Sequence, residues 1–488
     1  MSISDELSLH HLISPEVAPG SSFLTRSLLY LTAISNGYKS SVDFDTQELT
    51  STWVSYEQSV LRLPLIIKPG SGAFITSGGG PNLAFKNSIT GLFSGVSVRS
   101  SSNLSLVETR DSNQYSSALR MFLEKPGSWT LSNQDGLLYE NDYVEDDIVG
   151  GLVAPADIAT PSRLPFSGPP SEFVPNRSKK YNIGFEKRRA LFLNACSKKD
   201  AAEIKVTLNI PLVALHSFFE SLNFPMVNAR LFFSFYLNTT SSGSSYKPMV
   251  RGTYTDGTVL KVDVPADFTV NVDTTEAPQL SYHALTFSGE QSAVIAAQLE
   301  SGFTKRMRYD LYDVNQQTRN YDSKSIKVQI ASNVVGVKRV YALVHPAGLV
   351  DGIEWPSPLT TGSLQYLDRY NVFINNQPYH QRSLDTLESQ WKELTQMLPM
   401  NGYGGVDSAL TFSKWKNTNR ICVVDVTRDG TGNGDRSQPA SIMWDSTLEG
   451  TDSSNKVDIT FIIQRTQQVV FHFGAGKFRV EVGAQLFR

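Results

Sequence analysis

Ile204-Lys205-Val206-Thr207-Leu208-Asn209-Ile210-Pro211 is the stretch on which the reading of the chain turns. Up to Ile210 every even position is apolar and every odd one polar, the period of a strand with one buried face. Pro211 ends it, because proline has no N–H for the ladder. Leu212, Leu215, Phe219 and Leu222 then recur at helical spacing and predict one short helix. After Pro225 the period returns to two, and Val227, Ala229, Leu231, Phe233, Phe235 and Leu237 share a face. Two amphipathic strands joined over a helical lid are the material of a β-sandwich.

Upstream, Val60 to Ile67 is apolar almost without alternation, as in a strand covered on both faces. Leu92 to Val98 reads as a further strand. Tyr115, Leu119 and Phe122 form a helical stripe closed by Lys125-Pro126-Gly127. Phe185 to Asn194 is expected to be another strand. Residues 1–25 are polar and broken by prolines, and read as an N-terminal arm.

Downstream, Val259 to Val264 alternates, and Thr274 to Gln279 looks like a domain boundary. Ser288-x-x-Gln291 is a capping box that opens a helix ending at Gly302. Alternation then returns at Ile326–Ile330, Val340–Val344, Val457–Ile463, Val469–Phe473 and Phe478–Val482. Arg420 to Val426 is a strand, and Gly430 to Gly450 reads as a polar excursion. Val372-Phe373-Ile374 leads through a turn at Asn375–Pro378 into a helix carrying Leu384, Leu387, Trp391, Leu394 and Leu398. Each half runs strand, polar turn, helix. That repeat of order predicts two β-sandwiches in tandem, residues 26–279 and 280–488, with a few short helices in the connections.

A chain of 488 residues exceeds one ordinary core. With 40% hydrophobic and 19% charged residues it is globular. The net charge of −3 comes with no basic domain or stripe, so specific nucleic-acid binding is not expected. Glu186-Lys187-Arg188-Arg189 is the richest charged run and reads as a solvated strand face. Cys196 and Cys422 have no paired spacing, which argues against a disulfide scaffold or structural zinc. The first residues show no secretory signal, and no run approaches 18 apolar residues. A cytosolic folding compartment fits these features.

No catalytic constellation emerges. His-Glu-x-x-His, a Walker loop and a Gly-x-Ser-x-Gly elbow are all missing from the sequence. The glycine-rich Ser77–Pro81 is not followed by Gly-Lys-Ser/Thr. Glu140, Asp142, Glu145, Asp146 and Asp147 form an acidic cluster, and Asp425 to Asp435 faintly suggests a calcium loop. Calcium needs several such oxygens converging on one point, and acidic loops more commonly face water. His216 and His472 read as packed or surface histidines. The expectation is therefore no enzyme, no cofactor and no metal. A long proline-punctuated loop from Pro155 to Pro175 reads as functional or interfacial. Strong structural periodicity without chemistry points to a protein that works through its surface.

The ordered segments resemble a family. Val206–Phe235, with its Leu-x-x-Phe-Phe-Glu-x-Leu helix, resembles the double jelly-roll major capsid proteins, most of all those of polinton-like viruses and virophages, and more distantly those of adenoviruses and tectiviruses. Asn182-Ile183-Gly184-Phe185-x-Lys187-Arg188 resembles the family's Asn-Pro-Gly-Phe opening, with Ile183 where proline is usual. Leu299-x-x-Gly302-Phe303-Thr304-Lys305 is similar to the linker between barrels. Tyr370 to Asn376 and the helix after it resemble the second barrel's strand, turn and helix. The resemblance implies an all-β fold of two tandem eight-stranded jelly rolls, assembled as a homotrimer of pseudo-hexagonal outline. Such trimers tile the icosahedral virion shell around a DNA genome, often over an internal membrane, with neighbouring trimers, penton and minor capsid proteins as partners. A viral spike, fibre or carbohydrate-binding sandwich is the alternative, and a jelly-roll glycosidase or lyase a third reading that would need paired carboxylates in a cleft.

Overall fold

A computed structural model describes residues 25–483, except at a few short gaps and at 71–82, 143–182, 197–202, 252–266, 288–301, 400–409, 429–438 and 451–455, where at most isolated residues are described. The arm, the loop at Ser77–Pro81, the Pro155–Pro175 loop and the helix expected from Ser288 lie outside the described residues, as does most of Val259–Val264.

Eight strands frame the first half: β1 (Thr25–Thr32), β2 (Ser41–Asp45), β3 (Val60–Pro69), β4 (Phe93–Ser100), β5 (Ser105–Thr109), β6 (Ile204–Pro211), β7 (Leu231–Leu237) and β8 (Gln279–Thr286), with shorter strands beside them. The second supplies β9 (Phe303–Asn320), β10 (Ser325–Val334), β11 (Val337–Pro346), β12 (Gln365–Ile374), β13 (Gln377–Pro378), β14 (Cys422–Asp425), β15 (Ala440–Gly450) and β16 (Lys456–Gly474). These strands pair antiparallel throughout. The first half forms sheets β1-β8-β3-β6 and β2-β7-β4-β5, and the second forms β9-β16-β11-β14 and β10-β15-β12-β13. The orders match strand for strand. Two facing four-stranded sheets in this order are a jelly roll, so the chain is a double jelly roll. Phe268–Val272 and Lys477–Gly483 add short strands to β3 and β16.

Each sandwich closes over its own apolar layer. In the first, Leu61, Leu63 and Leu65 of β3 and Val206, Leu208 and Ile210 of β6 face Val96, Phe233 and Phe235. In the second, Val340, Ala342 and Val344 and Ile459, Phe461 and Ile463 face Val372, Ile442 and Trp444. Trp444 stacks on Tyr370 at 5.2 Å and reaches across the layer to Phe461 at 5.8 Å.

Helices occupy equivalent places. Between β5 and β6 lie α1 (Asn113–Leu119), which widens into a π turn over Arg120–Glu124, then α2 (Gly127–Leu137) and α3 (Ile183–Ala195). The short α4 (Leu212–Leu215) and α5 (Ser217–Ser221) form the lid after β6. Between β13 and β14 lie α6 (Leu387–Thr395) and α7 (Phe412–Asn417).

Six expectations are corrected. Phe185–Asn194 is helical. Phe185, Arg188, Phe192 and Cys196 are its buried stripe, and a charged residue in that stripe hid the period. Gly184 stands in its first turn, where a Cβ would come within 1.9 Å of the Asn141 carbonyl oxygen. Lys125-Pro126-Gly127 does not end the helical region, since Pro126 is the N-cap of α2. The lid helix breaks at His216, whose extended backbone separates α4 from α5. The second half of Gly430–Gly450 is a central strand, β15, with Ile442, Trp444 and Leu448 buried. The first sheet also runs past the expected boundary at residue 279, because β8 pairs with β1 along its whole length. In the second half, Leu384 bridges to Tyr370 rather than entering α6, which starts after the Thr386 cap.

Candidate assembly surface

The first strand of each sandwich is a sheet edge: among the described residues β1 pairs only with β8, and β9 only with β16. The two edges differ in what covers them. Met307, Tyr309 and Leu311 of β9, with Val469 and Phe471 of β16, are buried in the same apolar cluster as the first sandwich's core. Phe218 on α5 meets Tyr309 edge-on at 5.2 Å, and Phe224 meets Phe471 at 5.5 Å. The Ser217 and Ser221 hydroxyls donate to the Asp310 and Arg308 carbonyls at 2.6 and 2.7 Å. The Tyr309 hydroxyl donates to the Leu106 carbonyl. The leading edge of the second sandwich is therefore docked on the first.

Among the described residues β1 has no such cover. Leu28, Leu29 and Tyr30 are 51%, 44% and 55% exposed, and Ile34 just beyond is 51% exposed. Consecutive strand residues point to opposite faces, so apolar side chains stand open on both faces of β1. An apolar strand with a free hydrogen-bonding edge is a template for pairing, and a contiguous exposed apolar patch marks an interaction site.

Buried polar ties hold the two sandwiches as one unit. Glu124, at the end of the π turn, reaches into the second half. Its Oε1 accepts from the Tyr312 hydroxyl at 2.6 Å and from Gln464 Nε2 at 2.7 Å. Gln464 Nε2 also donates to Asp310 at 2.8 Å, and its Oε1 accepts from the Tyr341 hydroxyl at 3.0 Å. Burial, reinforced by Glu124, pushes the Tyr312 phenol well above its ordinary range, so it stays a donor. Arg188 on α3 donates to the Phe85 carbonyl at 2.9 Å and to Asp142 at 2.7 Å, while the other Asp142 oxygen accepts from Thr360 of the second half at 2.7 Å. The Lys86 ammonium donates to the Val350 carbonyl, and Lys247 and Arg251 N–H groups bond the Asp351 and Ile353 carbonyls at 2.8 and 3.0 Å. Burial brings the Lys86 ammonium down to about 7.

The residues weighed for metal in the sequence are used otherwise. Asp142 is fully buried and paired with Arg188, so the expected solvated face at Glu186–Arg189 is corrected for Arg188, which is buried. Glu145, Asp146 and Asp147 lie outside the described residues. Asp425 accepts from the Thr427 N–H and hydroxyl and pairs with Arg339, and Asn433 and Asp435 are outside the described residues. His216 is packed, its Nδ1 accepting from the Phe218 N–H at 3.1 Å, while His472 sits beside Glu481 on a partly exposed strand. Among the described residues no group of three or more His, Cys, Asp or Glu could hold a metal ion, and no helix is long and apolar enough to cross a membrane. The β1 patch went unnoticed in the sequence. Leu28-Leu29-Tyr30-Leu31 was its signal, but a continuous apolar run reads equally well as a buried strand.

No family model and no curated protein matches the sequence. Solved structures do match in fold. The chain is similar to a chain of the Sputnik virophage structure at 11% identity and a TM-score of 0.56, covering 96% of this chain and 90% of that one. It is similar to the mavirus major capsid protein at 10% identity and a TM-score of 0.56, covering 93% and 90%. At these identities the likeness is one of fold, and the fold shared is the double jelly roll.

Proposed function

We propose that the chain is the major capsid protein of an icosahedral DNA virus, a structural protein rather than an enzyme, and that three copies close into a pseudo-hexagonal capsomer. The observation that carries this reading is the unequal treatment of two equivalent edges. Within one chain, the edge strand β9 of the second sandwich docks on the first sandwich. The equivalent strand β1 of the first sandwich is left apolar and open among the described residues. Docking β1 onto the second sandwich of another copy repeats the same kind of contact between chains. A head-to-tail contact of this kind closes into a ring when its rotation allows, and six similar sandwiches arranged around one axis need three chains. The likeness of fold to the mavirus major capsid protein supports the same reading.

Each sandwich is then a domain, divided between Thr286 and Phe303. Neighbouring capsomers, penton and minor capsid proteins are the partners such a shell calls for. The chain would be made in the host cytoplasm and reside in the virion. Negative-stain microscopy of the purified chain tests the proposal. Hexagonal particles with six lobes are expected from the parent chain, and single two-lobed particles from a Leu29→Asp, Tyr30→Asp variant. Two-lobed particles from the parent chain would contradict it.

A further inference from the structure

Residues 348–361, between β11 and β12, grip the first half by four hydrogen bonds. The Lys86 amine donates to the Val350 carbonyl, the Lys247 and Arg251 N–H groups donate to the Asp351 and Ile353 carbonyls, and the Thr360 hydroxyl donates to Asp142. The segment is tied off at its own base. His345, near the end of β11, donates from Nε2 to the Pro358 carbonyl at 2.9 Å, and its ring lies edge-on to Trp355. Trp355 Nε1 donates to the Thr360 carbonyl at 2.9 Å, and the Gly348 N–H donates to Asp458 at 2.8 Å. The result is a strap drawn from the second sandwich across the first.

Two basic side chains are buried under it without the partners that a charge needs. Lys86 is 1% exposed. Its amine has the Val350 carbonyl and the face of the Tyr246 ring at 4.7 Å, and it forms no ion pair among the described residues. Facing it are Asp351 of the strap, Lys247 and the Tyr246 phenol; Asp351 and Lys247 oppose each other, and burial decides. His345 is fully buried, and its Nδ1 has no hydrogen-bond partner. The charged group facing it is Asp458 of β16, whose oxygens are taken by the Thr318 hydroxyl at 2.6 Å and the Gly348 N–H. A base held in a dry interior is favoured in its uncharged form. Burial accordingly brings Lys86 down to about 7 and His345 down to about 4. Lifting the strap takes Val350 off Lys86, and Trp355 and Pro358 off His345, and returns both bases to water.

We infer that residues 348–361 form a proton-released strap, which clamps the two sandwiches together while Lys86 and His345 are uncharged and lets go as they take up protons. This release does not depend on how copies assemble. Linkage fixes its sign and shape. Lys86 titrates at about 7 under the strap and near its ordinary 10.5 in water, so opening takes up a proton as pH falls from 10.5 to 7. His345 does the same as pH falls from 6.5 to about 4.

Amide hydrogen exchange of the full-length chain is the test, read at Lys247 and Arg251, whose N–H groups the strap carbonyls hold. With the chemical exchange rate divided out, opening should rise about a hundredfold from about pH 9 to about pH 7, and about tenfold more from about pH 6.5 to about pH 5. Lys86→Met should remove the first rise and His345→Gln the second. Amides of β6, in the ladder of the first sandwich, should exchange far more slowly at every pH, which separates strap opening from unfolding. Where a variant fails to fold, the parent profile set against β6 still decides. A parent profile lacking either rise, a rise that β6 shares in full, or both rises kept in both variants would overturn the inference.

Discussion

Arg188 and Asp142 meet at 2.7 Å with neither side chain exposed. A buried pair is costly to break from one side, because the remaining charge stays in a dry interior. Arg188→Met is therefore expected to destabilise the chain by about 3–5 kcal/mol. The Phe85 and Glu140 carbonyls would also lose their donor. Thr360→Val removes a single neutral donor to the same carboxylate and should cost about 1 kcal/mol. Denaturant unfolding of both variants checks the ranking.

Acid should weaken the fold before most carboxylates titrate. Burial, aided by Arg120, brings the His216 imidazole down to about 3, and burial brings His345 down to about 4, from an ordinary 6.5. Between 6.5 and the folded values the unfolded chain binds more protons than the folded one. The stability these neutral histidines contribute is thus complete above 6.5 and is lost as pH falls toward about 4 for His345 and about 3 for His216. The lowered carboxylates, such as Asp273 at about 2, act further down. Unfolding free energy measured at about pH 7 and about pH 5 should fall, and His216→Gln should flatten that slope.

Both thiols should be silent in the folded protein. Burial pushes Cys422 up to about 12, and the Cys196 thiol is buried and donates to the Phe192 carbonyl at 3.0 Å. Since the thiolate is the reactive form, alkylation near neutral pH should label neither cysteine in the native chain and both in denaturant, as mass spectrometry would count. Rapid native labelling would contradict the burial of these two strand and helix positions.

The sandwich was legible in the sequence wherever one strand face is buried and the other wet. β6 and β7 alternate so regularly because Ile204 to Ile210 and Leu231 to Leu237 face the core of the first sandwich. Legibility failed where a polar residue had to be buried. Arg188 sits inside a helical stripe, and Ser446 interrupts the apolar face of β15, so one element was misread and the other overlooked. The assembly edge was hidden for the opposite reason: Leu28 to Leu31 is apolar as a core strand is, and only three-dimensional packing shows that nothing among the described residues covers it. No cleft between the halves could be read in the sequence: Gln114, Tyr246 and Asp351 are far apart in it and line one space only in the folded chain.

The most direct test of the account is the mass of the purified full-length chain in solution by light scattering after size exclusion. The account predicts a stable species of three times the 53.9 kDa chain mass, reduced to a single chain by Leu29→Asp, Tyr30→Asp. A monodisperse single chain from the unaltered sequence, with the β1 patch open in solution, would contradict it.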